Sequence, residues 1–378
     1  MFLNFLLFSL LSSAFEHSSI QKPSPINAPV RILISKSKSS LKVKSLTSNI
    51  YVQAGPAHWM NVGREANISL KGSPWLPIFE INGQTLKAEN ITLQSYQRSG
   101  MFEFQANIYE GELRLYRKGN EIWVVNVVPL ESYLEATVSK EMNPNWELEA
   151  LKSQVVASRS YTNSMLSRPK DSLYDLEGNV LDQVYQGVEF TNSYAKVKQA
   201  IAETRGVYLF SNDKITKAFF HSRCGGRTQK SEKVWGTHLP GFSTQVECEY
   251  CKKNPFIWKT FFYLQELKNF FKLSNLLKFN LVAEKDKHGR VDYLKLIAGN
   301  DIKRVTSEAF RASLGYQKIK STNFDWKIVK NEIQIEGRGY GHGVGLCQWG
   351  AKDMAQKGKT YLEILHHYYP ELYIRRVQ

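Results

Sequence analysis

Three groups of residues in this 378-residue chain combine types and spacings that suggest chemistry. The first centres on Glu141. Leu130, Leu134, Val138 and Met142 recur at helical spacing, and Asn143-Pro144 should stop that helix, because proline disfavours α geometry in the residue before it. A second helix is expected at once, with Asn143 as its cap and Pro144 at its first position, running through Leu148, Leu151 and Val155 to Met165. Glu141 would then lie in the last turn of the first helix, in a corner with Trp146. The negative end of the helix dipole and partial burial beside an aromatic ring both favour a protonated carboxyl there. The plain alternative is a solvated glutamate. Further along the second helix, Lys152 and Arg159 are seven residues apart and share a face, either as a site for an anion or as a solvated basic stripe.

The second group is sulfur-rich. His221-x2-Cys224 and Cys248-x2-Cys251 have zinc-ligand spacing, and one imidazole with three thiolates would close a structural Zn²⁺ site. The rival is a disulfide from Cys224 to Cys248 or Cys251, which an oxidising compartment would favour. Cys347 is expected to be a buried thiol. The third group is the glycine-rich run 337–346, with Tyr340, His342 and, just beyond it, Gln348. No Lys-Ser/Thr pair follows and no βαβ pattern precedes, so a phosphate-cradling loop is a poor reading. Alternating glycines instead let backbone approach another surface closely.

The elements that must position these groups begin at Val30. Short runs alternating apolar and polar residues, separated by Gly, Asn and Ser turns, read as antiparallel strands, with Asn82-Gly83 as a hairpin. The expected fold is α+β: a β-rich N-terminal region (30–120) leads into a mixed helix and strand region (121–378). In the latter, 260–335 carries a helix near 263–272 and no chemical motif. Residues 1–14 read as a signal peptide, although they lack a positive n-region, and 15–29 as a flexible leader. The apolar N-terminal run is too short to span a bilayer, and no other stretch is long and apolar enough. An exported chain, periplasmic or bound to the cell envelope, is expected. Its net charge of +15 suits an anionic partner. No zinc-finger, RRM-like or helix-turn-helix signature accompanies that charge, so nucleic acid is not the expected partner.

Tyr133-Leu134, Val138, Glu141-Met142, Trp146, Glu149-Ala150-Leu151-Lys152, Gln154-Val155-Val156-Ala157 and Arg159-Ser160-Tyr161 resemble, in order and spacing, the core pattern of the SpoIID/LytB family of sporulation proteins and amidase enhancers. Asp182-Gln183-Val184-Tyr185 and the glycine-rich C-terminal segment resemble further parts of it. The resemblance implies a peptidoglycan lytic transglycosylase acting on peptide-stripped glycan strands, with Glu141 as the acid/base that leaves 1,6-anhydro ends. On such a substrate, the face shared by Lys152 and Arg159, if not a solvated basic stripe, is the expected site for the muramic-acid lactyl carboxylate. Tyr340 and His342 would line a sugar groove, and Gln348 would bind hydroxyl or acetamido groups. It also implies a zinc near the H-x-x-C segment, and places Cys347 where the family commonly has a small residue. The alternative role is a non-catalytic enhancer that binds glycan and activates a partner amidase. The setting could be sporulation, cell division or wall turnover.

Overall fold

The structure is a computed structural model that describes residues 28–377, apart from 39, 56–57, 74, 97–99, 180–181, 189–193 and 277. The expected signal segment, and all of the expected leader but its last two residues, lie outside the described residues.

The chain is α+β, with its first twelve strands all preceding the first helix. Two sheets form from them. One has the order 176–177, 30–37, 121–128, 112–118, 90–95, 50–54, 58–61, and the other 107–110, 101–104, 41–45, 65–71, 78–81, 84–87. Pairing is antiparallel except where Leu176–Glu177 lies parallel to Val30–Ser37. Strict alternation explains these strands: Leu41, Val43 and Ser45 point inward while Lys42 and Lys44 point out. The Asn82-Gly83 hairpin is present. Both residues have positive φ, which a tight two-residue turn requires, and they join Ile81 to Gln84.

The expected boundary at 120/121 falls inside a hairpin, because Glu112–Lys118 pairs with Glu121–Val128. The β-rich region also has no core of its own. Its inward residues, such as Ile32, Val43, Phe79 and Leu93, share one apolar cluster with Leu134, Val138, Leu151 and Val155 of the helices that follow.

Those helices are α1 (Leu130–Glu141), α2 (Leu148–Leu166) and α3 (Tyr194–Glu203). Helix α1 buries Leu130, Tyr133, Leu134, Thr137 and Val138, and stops where Met142 turns extended. Helix α2 starts later than the sequence suggests. The Asn143 side chain accepts a bond from the Asn145 N–H, and the Asn143 carbonyl accepts one from Trp146 N–H, so residues 143–146 form a separate turn. Glu147, still extended, takes the N-cap position. Almost every residue of α2 is buried, since its opposite face packs on a second core that contains the four cysteines, strand Val207–Ser211 and helices Gln348–Gln356 and Tyr361–Tyr368.

A third core belongs to residues 256–335. Strands Ile257–Tyr263, Phe324–Val329 and Glu332–Arg338 form one sheet there, and Asn280–Lys285, Val291–Ala298 and Asp301–Thr306 another. The expected helix appears as Leu264–Phe271. Among the described residues, no helix is long and apolar enough to cross a membrane.

Candidate functional site

Glu141 closes α1 and remains partly accessible. Loss of water raises its pKa above the ordinary 4.5, while one hydrogen bond opposes the rise: the Val184 N–H donates to Oε1 at 2.8 Å. That donor is held rigidly. Asp182 accepts from the Tyr161 hydroxyl (3.1 Å), the Lys170 ammonium (2.6 Å) and the Glu177 N–H (2.9 Å). Gln183 donates to Thr162 Oγ1 at 2.8 Å, and the Tyr185 hydroxyl donates to Asn126 Oδ1 at 2.5 Å. The segment 182–185 is thus tied to α2 on one side and to the first sheet on the other. Its role is to present one N–H to one carboxyl.

Tyr133 and Tyr161 lie within electrostatic reach of Glu141, and burial keeps both phenols protonated. From Tyr161 an aromatic wall continues. Its ring lies 6.2 Å from Phe219, which lies 4.5 Å from Trp235, which lies 5.2 Å from His342. Trp235 is 36% exposed, so part of an indole face is open to a ligand, as sugar stacking requires. The glycine loop allows this approach. A Cβ on Gly345, which has φ +71°, would stand 2.1 Å from the Phe219 carbonyl oxygen, and one on Gly341 would stand 2.7 Å from His221 Cβ.

His342 accepts the Val344 N–H at Nδ1 (3.0 Å), and burial together with the nearby His221 holds it neutral. Tyr340, expected on the same wall, belongs elsewhere. It stacks on Phe256 with ring centroids 6.1 Å apart and donates to Gln317 Oε1 at 3.0 Å. Neighbouring residues of the loop therefore serve different surfaces.

The structure corrects three further expectations. Arg159 is fully buried rather than facing a ligand. Its guanidinium donates to both Glu131 carboxylate oxygens (3.1 and 2.9 Å) and to the Thr204 carbonyl (2.9 Å), tying α2 to α1 and to the end of α3. Lys152 bonds to Glu149 (2.6 Å) and Glu203 (2.5 Å), so its charge is already matched. Gln348 is buried and donates to Gln154 Oε1 at 3.3 Å, an internal link between two helices. The family-like spacing of all three holds helices together, which a sequence cannot distinguish from ligand binding.

The sulfur centre also differs from expectation. Cys224, Cys248, Cys251 and Cys347 are all buried and free, with the four Sγ atoms within 4.8 Å of one another. Sγ–Sγ distances of 3.7 Å (Cys251–Cys347) and 4.0 Å (Cys248–Cys347) are far beyond a disulfide bond, which measures about 2.05 Å. They match the edge of a tetrahedron with Zn–S bonds of about 2.3 Å, whose ligands stand about 3.8 Å apart. The donor set therefore fits a closed four-thiolate site, with the Cys224 N–H directed at Cys347 Sγ (3.4 Å) and the Tyr368 hydroxyl at Cys248 Sγ (3.4 Å) as outer support.

His221 is not among the four. Its Nδ1 faces the Val344 carbonyl at 3.1 Å and burial lowers its pKa to about 3, so the ring is neutral. Cys347 takes the place expected of His221 because Phe220–His221 pairs in parallel with Leu346–Cys347, bringing a thiol from 123 residues away beside the Cys224 loop. The presence of a fourth cysteine was the available signal. Nothing local to Trp235 marked it as part of the aromatic wall.

Comparisons with known proteins agree with this architecture. A family model described as Stage II sporulation protein (SpoIID) matches residues 118–210, which span α1, α2, the 182–185 segment and α3. An uncharacterized protein of Brachyspira hyodysenteriae is 36% identical over 69% of this chain and 70% of its own length. Stage II sporulation protein D of Bacillus subtilis is 31% identical over 68% of this chain and 76% of its own. An amidase enhancer of Bacillus subtilis is 26% identical over 63% of this chain but only 39% of its own. On these relatives, the chain belongs to the SpoIID family.

Proposed function

We propose that this protein acts in the bacterial cell wall as a lytic transglycosylase, cleaving the glycosidic bonds of peptidoglycan strands from which stem peptides have been removed. The observation that carries the reading is the contrast between Glu141 and its neighbouring acid Asp182. Glu141 is partly accessible and biased towards its protonated form, whereas Asp182, the acid beside it, is committed to Lys170, Tyr161 and the Glu177 N–H. Two-carboxylate glycosidases need a second free acid, as nucleophile or as the base that activates water. A transglycosylase does not. The Glu141 proton passes to the bridging oxygen as its bond to C1 of muramic acid breaks. The resulting carboxylate then takes the proton of the muramoyl 6-hydroxyl as that oxygen closes on C1. No water is consumed, Glu141 ends protonated again, and the product carries a 1,6-anhydro end. The half-open Trp235 and the neutral His342 supply a stacking face and a polar edge for the sugars.

Such a substrate requires export of the chain, consistent with the signal-like residues 1–14. We also assign a structural Zn²⁺ to the four thiols. Bound there, the ion would cross-link the loops carrying Cys224, Cys248 and Cys251 to the glycine-loop strand, and closed four-thiolate coordination leaves it no place in catalysis.

The similarity to a protein named amidase enhancer supports a second reading, in which the same cleft binds glycan and a partner amidase is stimulated. Digestion of amidase-stripped strands separates the two. Anhydro-ended fragments by mass spectrometry from the wild type, and none from Glu141→Gln, are expected. Intact strands together with faster peptide release by an added amidase would favour the enhancer.

A further inference from the structure

Lys217 is a half-buried cation that makes no hydrogen bond or ion pair among the described residues. Its Nζ stands 4.7 Å from the ring centroid of Tyr161 and 5.7 Å from that of Phe219. Burial strips its ammonium of water and lowers its pKa; Asp182 opposes this, and Lys170 adds repulsion. Asp182 is not free to pair with it, being engaged by Lys170, the Tyr161 hydroxyl and the Glu177 N–H. A desolvated ammonium without a counter-ion is unfavourable unless something outside the fold completes it.

Its location indicates what that would be. The Tyr161 ring lies beneath Lys217, while its hydroxyl holds Asp182, two residues before the N–H that binds Glu141. Lys217 is therefore linked to Glu141 through Tyr161 and the 182–184 segment. Asp182 is balanced by Lys170, which leaves the Lys217 ammonium without a carboxylate of its own. The two basic residues that sequence spacing offers for an anion, Lys152 and Arg159, are satisfied within the fold.

We propose that Lys217 binds a carboxylate of the substrate, namely the lactyl carboxylate of muramic acid that is exposed once the stem peptide has been removed. This rests on the reading of the cleft as a glycan site, and it makes peptide-free strands the preferred ligand through charge. An intact peptide linkage would present a neutral amide to the ammonium, whereas the freed carboxylate supplies the missing partner. An ammonium suits this task, being a point charge on a flexible stem that tolerates a range of sugar poses.

The test is binding, measured by titration calorimetry in a Glu141→Gln background so that no strand is cut. The ligands are amidase-stripped glycan fragments and the same fragments with their carboxylates converted to methylamides. The Glu141→Gln protein should prefer the carboxylate form by about tenfold or more, the scale of one charge-assisted bond. Adding Lys217→Gln should abolish the preference while leaving methylamide affinity unchanged, and Lys217→Arg should retain much of it. Equal affinity for both ligands before Lys217 is changed, or a preference that survives Lys217→Gln, would overturn the proposal. Lys217→Gln removes an unpaired buried cation, so its melting temperature should equal or exceed that of the parent. The two readings fail separately: a Lys217-dependent preference without anhydro products in the wild type sinks only the transglycosylase, and anhydro products without the preference sink only this assignment.

Discussion

The Glu141 site and the four-cysteine centre treat buried ionisable groups in opposite ways. At Glu141, one carboxyl is partly desolvated and given a single N–H donor, and the loss of water raises its pKa. At the cysteines, four thiols are brought within 4.8 Å, so close that their anions can coexist only around a cation. One site stores a proton for release, and the other is built to be neutralised once and left closed. Around the acid, the supporting bonds are one backbone N–H and the polar side chains that hold its segment in place. Around the sulfurs, they come from segments far apart in the chain. Disruption should therefore cost the cleft its activity and the sulfur centre its fold.

The largest effect is expected at the sulfur centre. Structural zinc in small sites contributes on the order of 10 kcal/mol of folding free energy. Stripping metal with a strong chelator, or replacing Cys347 by Ser, should lower the melting temperature steeply and reduce bound zinc as fully as Cys224→Ser does. His221→Ala should keep its zinc by elemental analysis. Zinc retained in Cys347→Ser but lost in His221→Ala would restore the imidazole as the fourth ligand.

Next comes the acid. Glu141→Gln keeps the shape of the side chain and an acceptor for Val184 N–H but removes the proton donor. Formation of anhydro ends should fall by about 10²–10⁴-fold, the usual contribution of a general acid, with glycan affinity little changed. A comparable fall in binding would make Glu141 an anchor for substrate and weaken the contrast between the two regions.

The helix end that carries the acid was legible because its parts lie close in sequence: the α1 stripe, the stop near Asn143 and Glu141 itself all follow from periodicity and the proline rule. The later start of α2 was hidden because Asn143 caps its own turn rather than a helix, a choice made by one side-chain bond. The β-rich region was equally readable as strands. That it shares a core with the helices was not, since alternation shows that a strand has an inner face without showing what covers it. That the buried thiol of Cys347 joins the other three was hidden for the same reason as the role of Arg159. Each is completed by groups more than 25 residues away: the Cys224 loop for one, and Glu131 and Thr204 for the other.

Arg159 gives a smaller and sharper break. Its side chain is wholly buried while Glu131 is only partly so. Arg159→Ala leaves the Glu131 carboxylate without its partner, while the Thr204 carbonyl keeps the Val207 N–H, and should cost about 3–5 kcal/mol by denaturant unfolding. Affinity per folded molecule for stripped glycan should hardly change. A weakened affinity with unchanged stability would instead return Arg159 to the binding surface.

The smallest effect tests why Glu141 keeps its proton. Its folded pKa lies above the unfolded value of about 4.5, so folding favours the protonated form. That contribution is complete below the unfolded pKa and disappears as pH rises through the folded one, because the native carboxyl must then ionise with little water around it. Glutamine cannot ionise. The melting temperature of Glu141→Gln relative to wild type should therefore climb from near zero at acid pH and level off above the native pKa. The plateau should coincide with the alkaline limb of kcat/KM for glycan cleavage, since both report one proton. If the Val184 N–H outweighed desolvation, the wild type would instead gain stability over the variant as pH rises. The sign of that slope thus decides whether lost water or the hydrogen bond governs the acid.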